Sequence, residues 1–358
     1  GDNMKELTIL NTKTDYIILR FLSQNPASYW DLLLNSFDNS INTINSIEKL
    51  LKENLIKYEN NYFSLTEKGK ELVKKILKTQ YKDVICKECN GKGLKITEYF
   101  KDILSKFLEL TKDRPHAIPE FDQGVVEPIT LISRVIFMYY KGDIENKDIV
   151  LIGDDDLTSI ILALSNLPNN ILVLEADKRL VDYINNKSKE LNLNSLKAVV
   201  YNVEDPVNEE YLGKFDTFLT DPVETIEGIT LFISRGVSML KEEGVVYFGL
   251  THLEASYKKW HKIHSNLYSM NLVITDLLDK FQLYDLNPED IVNKGYRVYT
   301  EAVNKLGIKP DKPTKPWYNS AFHRLILVDK PNPYYPYNKQ IKLERNLYYD
   351  NEAYVTLY

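Results

Sequence analysis

The sequence predicts an α/β fold, a parallel sheet with helices on both faces, preceded by a small helical unit. Three observations carry this. From residue 148 onward short apolar runs at 149–152, 171–175, 197–201, 215–219 and 244–248 alternate with amphipathic helical stretches. Acidic residues follow these strands, at the sheet edge where ligands bind in such folds. Ahead of the ladder, residues 1–79 read as three helices, a hairpin and a closing helix, the order of a winged helix-turn-helix.

In this first unit Ile17, Ile18, Phe21 and Leu22 fall on one helical face, and Ser28 can cap a second short helix. Ser40 opens a third helix with Ile41, Ile44, Ile47, Leu50 and Leu51 on one side. Residues 55–58 and 62–65 flank a Glu59-Asn60-Asn61 turn, and the last helix follows Thr66. DNA binding through the third helix is the obvious expectation for this order. The charge argues against it: residues 1–79 hold ten Lys and one Arg against four Asp and six Glu. In the third helix Lys49 and Lys52 are balanced by Glu48 and Glu53, leaving no net charge to release phosphate counterions. A dimerisation or docking module is the expectation.

The whole chain of 358 residues carries a formal charge of −6, which weakens nucleic acid as the main partner. A length near two domains, 44% hydrophobic residues and no run approaching about 18 apolar residues suit a protein that does not enter a membrane. Two cysteines cannot make a disulfide scaffold, so a cytoplasmic location is expected. Glycine is sparse, 14 residues against 25 Tyr, so any glycine-rich cofactor loop must be sparse as well.

Residues 80–127 read as a connector. Cys86 and Cys89 have the spacing of half a zinc site, but a closed site needs four ligands. A structural knuckle, reduced or disulfide-linked, is preferred to a metal site. In the loop that follows, Glu120, Phe121 and Asp122 place an aromatic between two acids, either a solvated connector or a wall suited to an amine.

Residues 128–330 form the ladder, which matches a nucleoside-binding, Rossmann-like domain of the S-adenosylmethionine-methyltransferase type. Its first turn carries Gly153. An acid after the second strand, Asp177 with Glu175 as second choice, can hold two ribose hydroxyls, and Asp205 can accept from an adenine amino group. A single acid at a strand end is ordinarily a helix N-cap. Acids at four successive strand ends point instead to a nucleoside site. The first turn, however, follows one glycine with Asp154, Asp155 and Asp156. Acids there help a helix dipole but would repel the carboxylate of S-adenosylmethionine. Decarboxylated S-adenosylmethionine lacks that group and keeps a sulfonium and an amine, and a polyamine acceptor is also polycationic. With Asp221 and Glu224, the three aspartates suit two positive substrates, favouring aminopropyl over methyl transfer.

The segment Pro119-Glu120-Phe121-Asp122-Gln123-Gly124, the turn Gly153-Asp154-Asp155-Asp156-Leu157 and the loop Asp221-Pro222-Val223-Glu224, behind Cys86-x-x-Cys89-x-Gly91-x-Gly93, resemble the branched-chain polyamine synthases of thermophilic archaea and bacteria. The resemblance spans nearly the whole chain, although Val223 stands where that family commonly has a second proline. It implies transfer of aminopropyl groups from decarboxylated S-adenosylmethionine to the central secondary amine of spermidine. The products would be N4-aminopropylspermidine and N4-bis(aminopropyl)spermidine, with methylthioadenosine released and no bound prosthetic group or metal. A free amine is mostly protonated at neutral pH, with a pKa near about 10.4, so a carboxylate must take its proton. By resemblance Asp156 is the leading base and Asp221 the second. Asp154, Asp155 and Glu224 would hold ammonium ends, with Glu120, Phe121 and Asp122 nearby.

After the fifth strand His252 lies in a loop that can border the acceptor pocket. His261 and His264 read as a solvated face and His323 as structural. Prolines and missing periodicity in residues 331–358 argue for a mobile tail, either a lid or simple disorder. A homodimer is expected. Two other classes remain open on sequence, an N-methyltransferase and a winged-helix regulator sensing an adenosyl ligand.

Overall fold

The computed structural model describes residues 12–87, 89–117, 124–353 and 355, so the expectations for Glu120, Phe121 and Asp122 lie outside the described residues. The chain opens with α1 (Lys13–Gln24), α2 (Tyr29–Asn35) and α3 (Ser40–Lys52), then β1 (Ile56–Glu59), β2 (Tyr62–Leu65) and α4 (Glu67–Ile76). Local chemistry sets these boundaries. Thr12 with Asp15, and Ser28 with Asp31, form reciprocal capping boxes that satisfy the first amides of α1 and α2. The Asn39 side chain accepts from the Asn42 amide, so α3 begins at Ser40, one residue after its true cap. Asn60 and Asn61 both take positive φ, +51° and +70°, as a two-residue hairpin turn requires. Gly69 lets α4 approach β1, because a Cβ there would sit 2.0 Å from the Leu55 carbonyl oxygen.

Helices α5 (Glu98–Leu110) and α6 (Pro128–Tyr140) lead into the main sheet. Its elements are β3 (Asp148–Ile152), α7 (Thr158–Ser165), β4 (Asn170–Glu175), α8 (Lys178–Glu190), β5 (Leu196–Val200), β6 (Phe215–Thr220), α9 (Ile226–Ser238), β7 (Leu240–Leu250), α10 (Tyr257–Ser269), β8 (Leu272–Leu283), α11 (Pro288–Asn293), α12 (Arg297–Leu306) and β9 (Asn319–Leu327). The seven strands lie in the order β5-β4-β3-β6-β7-β9-β8. Strands β3 to β7 pair in parallel, and β9 runs antiparallel between β7 and β8. Strands β3, β4 and β6 are buried almost throughout, as a sheet covered on both faces demands. The chain steps outward from β3 to β4 and β5, then returns to β6 beside β3. That reversal opens a crevice at the carboxyl ends of β3 and β6, where doubly covered sheets bind ligands.

The N-terminal unit is built into this sheet domain. The Tyr29 hydroxyl donates to the Val298 carbonyl at 2.6 Å, and the Trp30 indole to that of Asp311 at 2.9 Å. The Ser40 amide donates to Leu253 O at 3.0 Å, and a single apolar core joins α1–α4 to one face of the sheet. In the connector Cys86 and Cys89 are both free thiols. His261 is exposed, whereas His264 Nε2 lies 2.9 Å from His323 Nε2 and belongs to a buried contact. Burial lowers His323 to about 3, so this pair is neutral and structural.

The C-terminal segment, expected to be a mobile tail acting as a lid or simply disordered, packs against the sheet domain over its described residues. Residues 331–353 and 355 run along the sheet domain and are tied to it, because buried donors reach the backbone carbonyls that a loop of this composition leaves unpaired. Arg235, fully buried in α9, donates to the carbonyls of Val203, Glu204, Pro336 and Lys339 at 2.8 to 3.2 Å. Val207 N and Ile341 N complete the seam with Tyr337 O and Glu204 O, and Val355 N donates to buried Glu254 at 2.9 Å. Among the described residues no helix is long and apolar enough to cross a membrane.

Replacing Arg235 by Ala should lower unfolding free energy by about 3 kcal/mol or more, since it strands several buried carbonyls. It should also open residues 331–353 to limited proteolysis. A urea midpoint and a cleavage pattern both unchanged would show that Arg235 does not hold the tail.

Candidate active site

The register places Ile152 of β3 beside Thr220 of β6. The loops leaving these strands, Gly153 to Asp156 and Asp221 to Glu224, therefore face each other across the crevice. Gly153 takes φ +78° and turns the chain sharply at the end of β3. Arg134, Gly153, the three aspartates and Asp221 line a small cleft there.

The three aspartates point in different directions. Asp154 is buried and turns back on α7, accepting from the Ser159 amide at 3.4 Å and from the Ser159 hydroxyl. Burial pushes its carboxyl up to about 8. Asp156 is also buried; its Oδ1 takes the Val126 amide at 2.8 Å and its Oδ2 the Arg134 guanidinium at 3.2 Å. Asp155 is half-buried and accepts the Gly124 amide at 3.0 Å. Burial, then the charges of Asp156, Asp221 and Glu175, raise its carboxyl well above the usual range.

Opposite them, Asp221 receives the Tyr284 hydroxyl at 2.8 Å on one oxygen and 2.6 Å on the other. Burial raises Asp221 to about 6, with the Arg134 charge pulling the other way. Arg134 projects from α6 with its Nε on Gln282 at 2.8 Å and its Nη1 shared between Asp156 and Thr158. Gln282 and Tyr284 both meet the Ser320 hydroxyl, at 2.8 and 3.0 Å, closing a buried polar ring behind the acids. Glu224 lies buried at the start of the α9 segment.

Of the proposed nucleoside ligands, Glu175 braces two strand ends. One carboxylate oxygen accepts the Asp154 amide at 2.7 Å and the other the Asp177 amide at 3.1 Å. Asp177 caps α8 and accepts the Arg179 guanidinium at 2.7 Å. Asp205 is exposed beyond β5. His252 is placed elsewhere than a pocket border: its Nε2 lies 3.3 Å from the Leu33 carbonyl, and burial lowers it to about 4. The ring therefore joins the sheet to α2. Among the described residues no group of three or more His, Cys, Asp or Glu is arranged to hold a metal ion.

Sequence reasoning missed Arg134, Gln282, Tyr284 and Ser320. Arg134 carried a signal, as the one charged residue in the apolar helix PITLISRVIFMYY. The other three are ordinary residues in a strand or just past its end, and only the tertiary fold assembles them.

A nucleoside-type α/β sheet with acids on both sides of its reversal point defines a group-transfer enzyme built for cationic reactants. The family model described as branched-chain polyamine synthase A C-terminal domain matches residues 102–355. An N(4)-bis(aminopropyl)spermidine synthase of Methanocaldococcus jannaschii is 34% identical over 98% of this chain and 97% of its own length. One from Thermococcus kodakarensis is 38% identical over 84% of this chain and 83% of the relative. A Thermus thermophilus branched-chain polyamine synthase mutein superposes with a TM-score of 0.81 at 30% identity, covering 96% of this chain and 93% of that one. That protein was crystallised with N4-aminopropylspermidine and 5'-methylthioadenosine. The chain belongs to the branched-chain polyamine synthase family.

Asp154 supplies a pH test of this geometry. Its folded carboxyl is raised, so the folded state holds a proton that the unfolded chain releases, and stability falls as pH rises from about 4 towards about 8. Asp154→Asn keeps the shape without the charge. The melting temperature of the variant should gain on wild type between pH 5 and pH 8.5; a constant difference across that range would place the buried charge elsewhere.

Proposed function

We propose that this protein transfers aminopropyl groups from decarboxylated S-adenosylmethionine to the central secondary amine of spermidine, releasing methylthioadenosine. The observation that carries the reading is the pair of acid-bearing loops facing each other at the β3/β6 reversal, with family membership behind it. The acceptor arrives as an ammonium. Its proton passes to a carboxylate, the freed nitrogen lone pair attacks the methylene carbon beside the sulfonium, and the carbon–sulfur bond breaks. The bonding electrons stay on sulfur, which leaves as a neutral thioether. A second round starts from the tertiary amine and ends as a quaternary ammonium, giving N4-bis(aminopropyl)spermidine.

The geometry supports Asp155 as the proton acceptor rather than Asp156. Asp156 is committed to Arg134 and the Val126 amide, whereas Asp155 is half-buried with a raised carboxyl beside the cavity. Asp221 supports the second carboxylate role, and Glu224, with Glu120 and Asp122 of the preceding loop and Phe121 between them, suits the remaining ammonium groups. On the nucleoside side we assign the close backbone turn to Gly153, the ribose to Asp177 with Glu175, and the adenine amino group to Asp205. Asp177 would exchange its Arg179 contact for the sugar hydroxyls. We also read α1–α4 with the hairpin as a winged-helix module used for docking, residues 80–127 as the connector and residues 128–330 as the catalytic domain. A cytoplasmic homodimer completes the proposal.

Mass spectrometry of spermidine incubated with the enzyme and decarboxylated S-adenosylmethionine tests the reaction, with S-adenosylmethionine in a parallel tube. One or two aminopropyl additions on the central nitrogen, in the first tube alone, are expected; a methylated product in the second would move the reading to methyl transfer. Asp155→Asn should cut turnover by about a thousandfold or more. Methylthioadenosine affinity should stay within about threefold of wild type. Full activity in that variant would remove Asp155 as the base.

A further inference from the structure

A buried cation is unexpected in a cavity built to receive polycations, and Arg134 is such a cation. It is 2% exposed, reaches the site from α6, and its guanidinium lies over the Phe322 ring, 6.0 Å from the centroid. Its Nη1 bonds Asp156 and Thr158, its Nε bonds Gln282, and its Nη2 has no hydrogen-bond partner among the described residues. That nitrogen lies 3.8 Å from Asp221. Removing charges from water costs several kcal/mol per ion, so a guanidinium is kept here only where its partners need it. Nothing in the transfer step needs it directly, because donor and acceptor are both positive.

We infer that Arg134 is a positioning residue that divides the acid cluster, holding Asp156 in a direct ion pair and setting its other terminal nitrogen 3.8 Å from Asp221. Asp155 is thereby left as the carboxyl of the β3 loop that exchanges a proton with the acceptor. The inference rests on the aminopropyl-transfer reading and deepens it. The charged and titratable groups facing Arg134 and Asp221 are Asp156 after β3 and Tyr284 beyond β8, with Asp155 acting on Asp221; Asp154 and Glu175 stand behind Asp155, and the Arg114 guanidinium of the connector donates to the Asp155 carbonyl. Arg134 is the cation in contact with the Asp156 and Asp221 side chains. Tyr284 acts on the same group, since its hydroxyl bridges both oxygens of Asp221. Directions agree: the Arg134 charge opposes the rise that burial imposes on Asp221.

The test is the pH dependence of kcat/KM for wild type, Arg134→Met, Arg134→Lys and Tyr284→Phe. Removing the charge should move the acidic limb alkaline by about one to three pH units, the range typical of a lost neighbouring charge. Arg134→Lys keeps the charge but loses the fork to Gln282 and Thr158. Its limb should stay within about 0.3 units of wild type while kcat falls about tenfold. Tyr284→Phe should move the limb the same way as Arg134→Met by a smaller amount. An Arg134→Met limb that coincides with wild type at reduced amplitude overturns the inference and leaves Arg134 a structural residue. If that variant does not fold, an unmoved limb in Tyr284→Phe, or an alkaline shift in Arg134→Lys as large as one unit, overturns it instead. A wild type that makes no branched product at any pH removes the functional reading, an outcome separate from these.

Discussion

The structure turns on the contact between the Arg134 guanidinium and Asp156 beneath a cavity lined with acids. Carboxylates crowded into a low-dielectric crevice repel one another, and each is driven toward its neutral form. Three things relieve that pressure here. Asp154 turns onto the first turn of α7, where the Ser159 amide and hydroxyl receive it and offset part of the rise that burial imposes. Asp156 takes the buried cation, and Asp221 takes a phenol hydroxyl across both oxygens. Asp155 accepts the Gly124 amide, and burial with the neighbouring acids Asp156, Asp221 and Glu175 raises its carboxyl.

The elements around the crevice are what allow such a cluster to be held. Arg134 is fixed by α6, Gln282 by β8 and Ser320 by β9, so the polar ring joins a helix to two strands far apart in sequence. The N-terminal unit seals another side through His252 and Leu33, Ser40 and Leu253, and Tyr257 and Phe37. These contacts explain the near-neutral third helix. Its apolar side serves the interior, where Ile44, Ile47 and Leu50 are buried, and its polar side carries ion pairs such as Lys49–Asp15.

Much of this fold was legible in the sequence because its local signals agree with one another. The strand and helix alternation, the caps at Ser28 and Thr66, and the Asn60-Asn61 turn each have a short-range physical cause. The placement of Gly153 to Asp156 and of Asp221 at the carboxyl edge followed from the alternation of strands and helices, whereas the reversal at β3 that sets them face to face is tertiary. What was not legible is tertiary. Strand β8 alternates buried and exposed residues weakly and breaks register against β9 twice, so its pattern LVITDLLDKFQL does not declare itself. The tail has no period of its own; it is ordered by Arg235, whose carbonyl partners lie about a hundred residues away. His252 stood in the right loop but turned toward α2, a choice that sequence spacing does not encode. Arg134 was the missed clue, a lone charge in an apolar helix that a buried partner had to explain.

Three successive aspartates also look equivalent on the page and are not. A tight turn points consecutive side chains in different directions, so one faces a helix start, one the crevice and one a buried arginine. Chemistry at the central amine of a polyamine needs such inequality. A carboxylate of ordinary or low pKa stabilises a bound ammonium and keeps it protonated, and a protonated amine is no nucleophile. A carboxyl held high does the reverse and accepts the proton. In a site with both kinds, the end amines of the acceptor stay cationic and anchored while the nitrogen beside the high-pKa group becomes reactive. The choice of nitrogen is then set by differences among carboxyl groups of the same chemical type, and those differences come from what each one touches rather than from what it is.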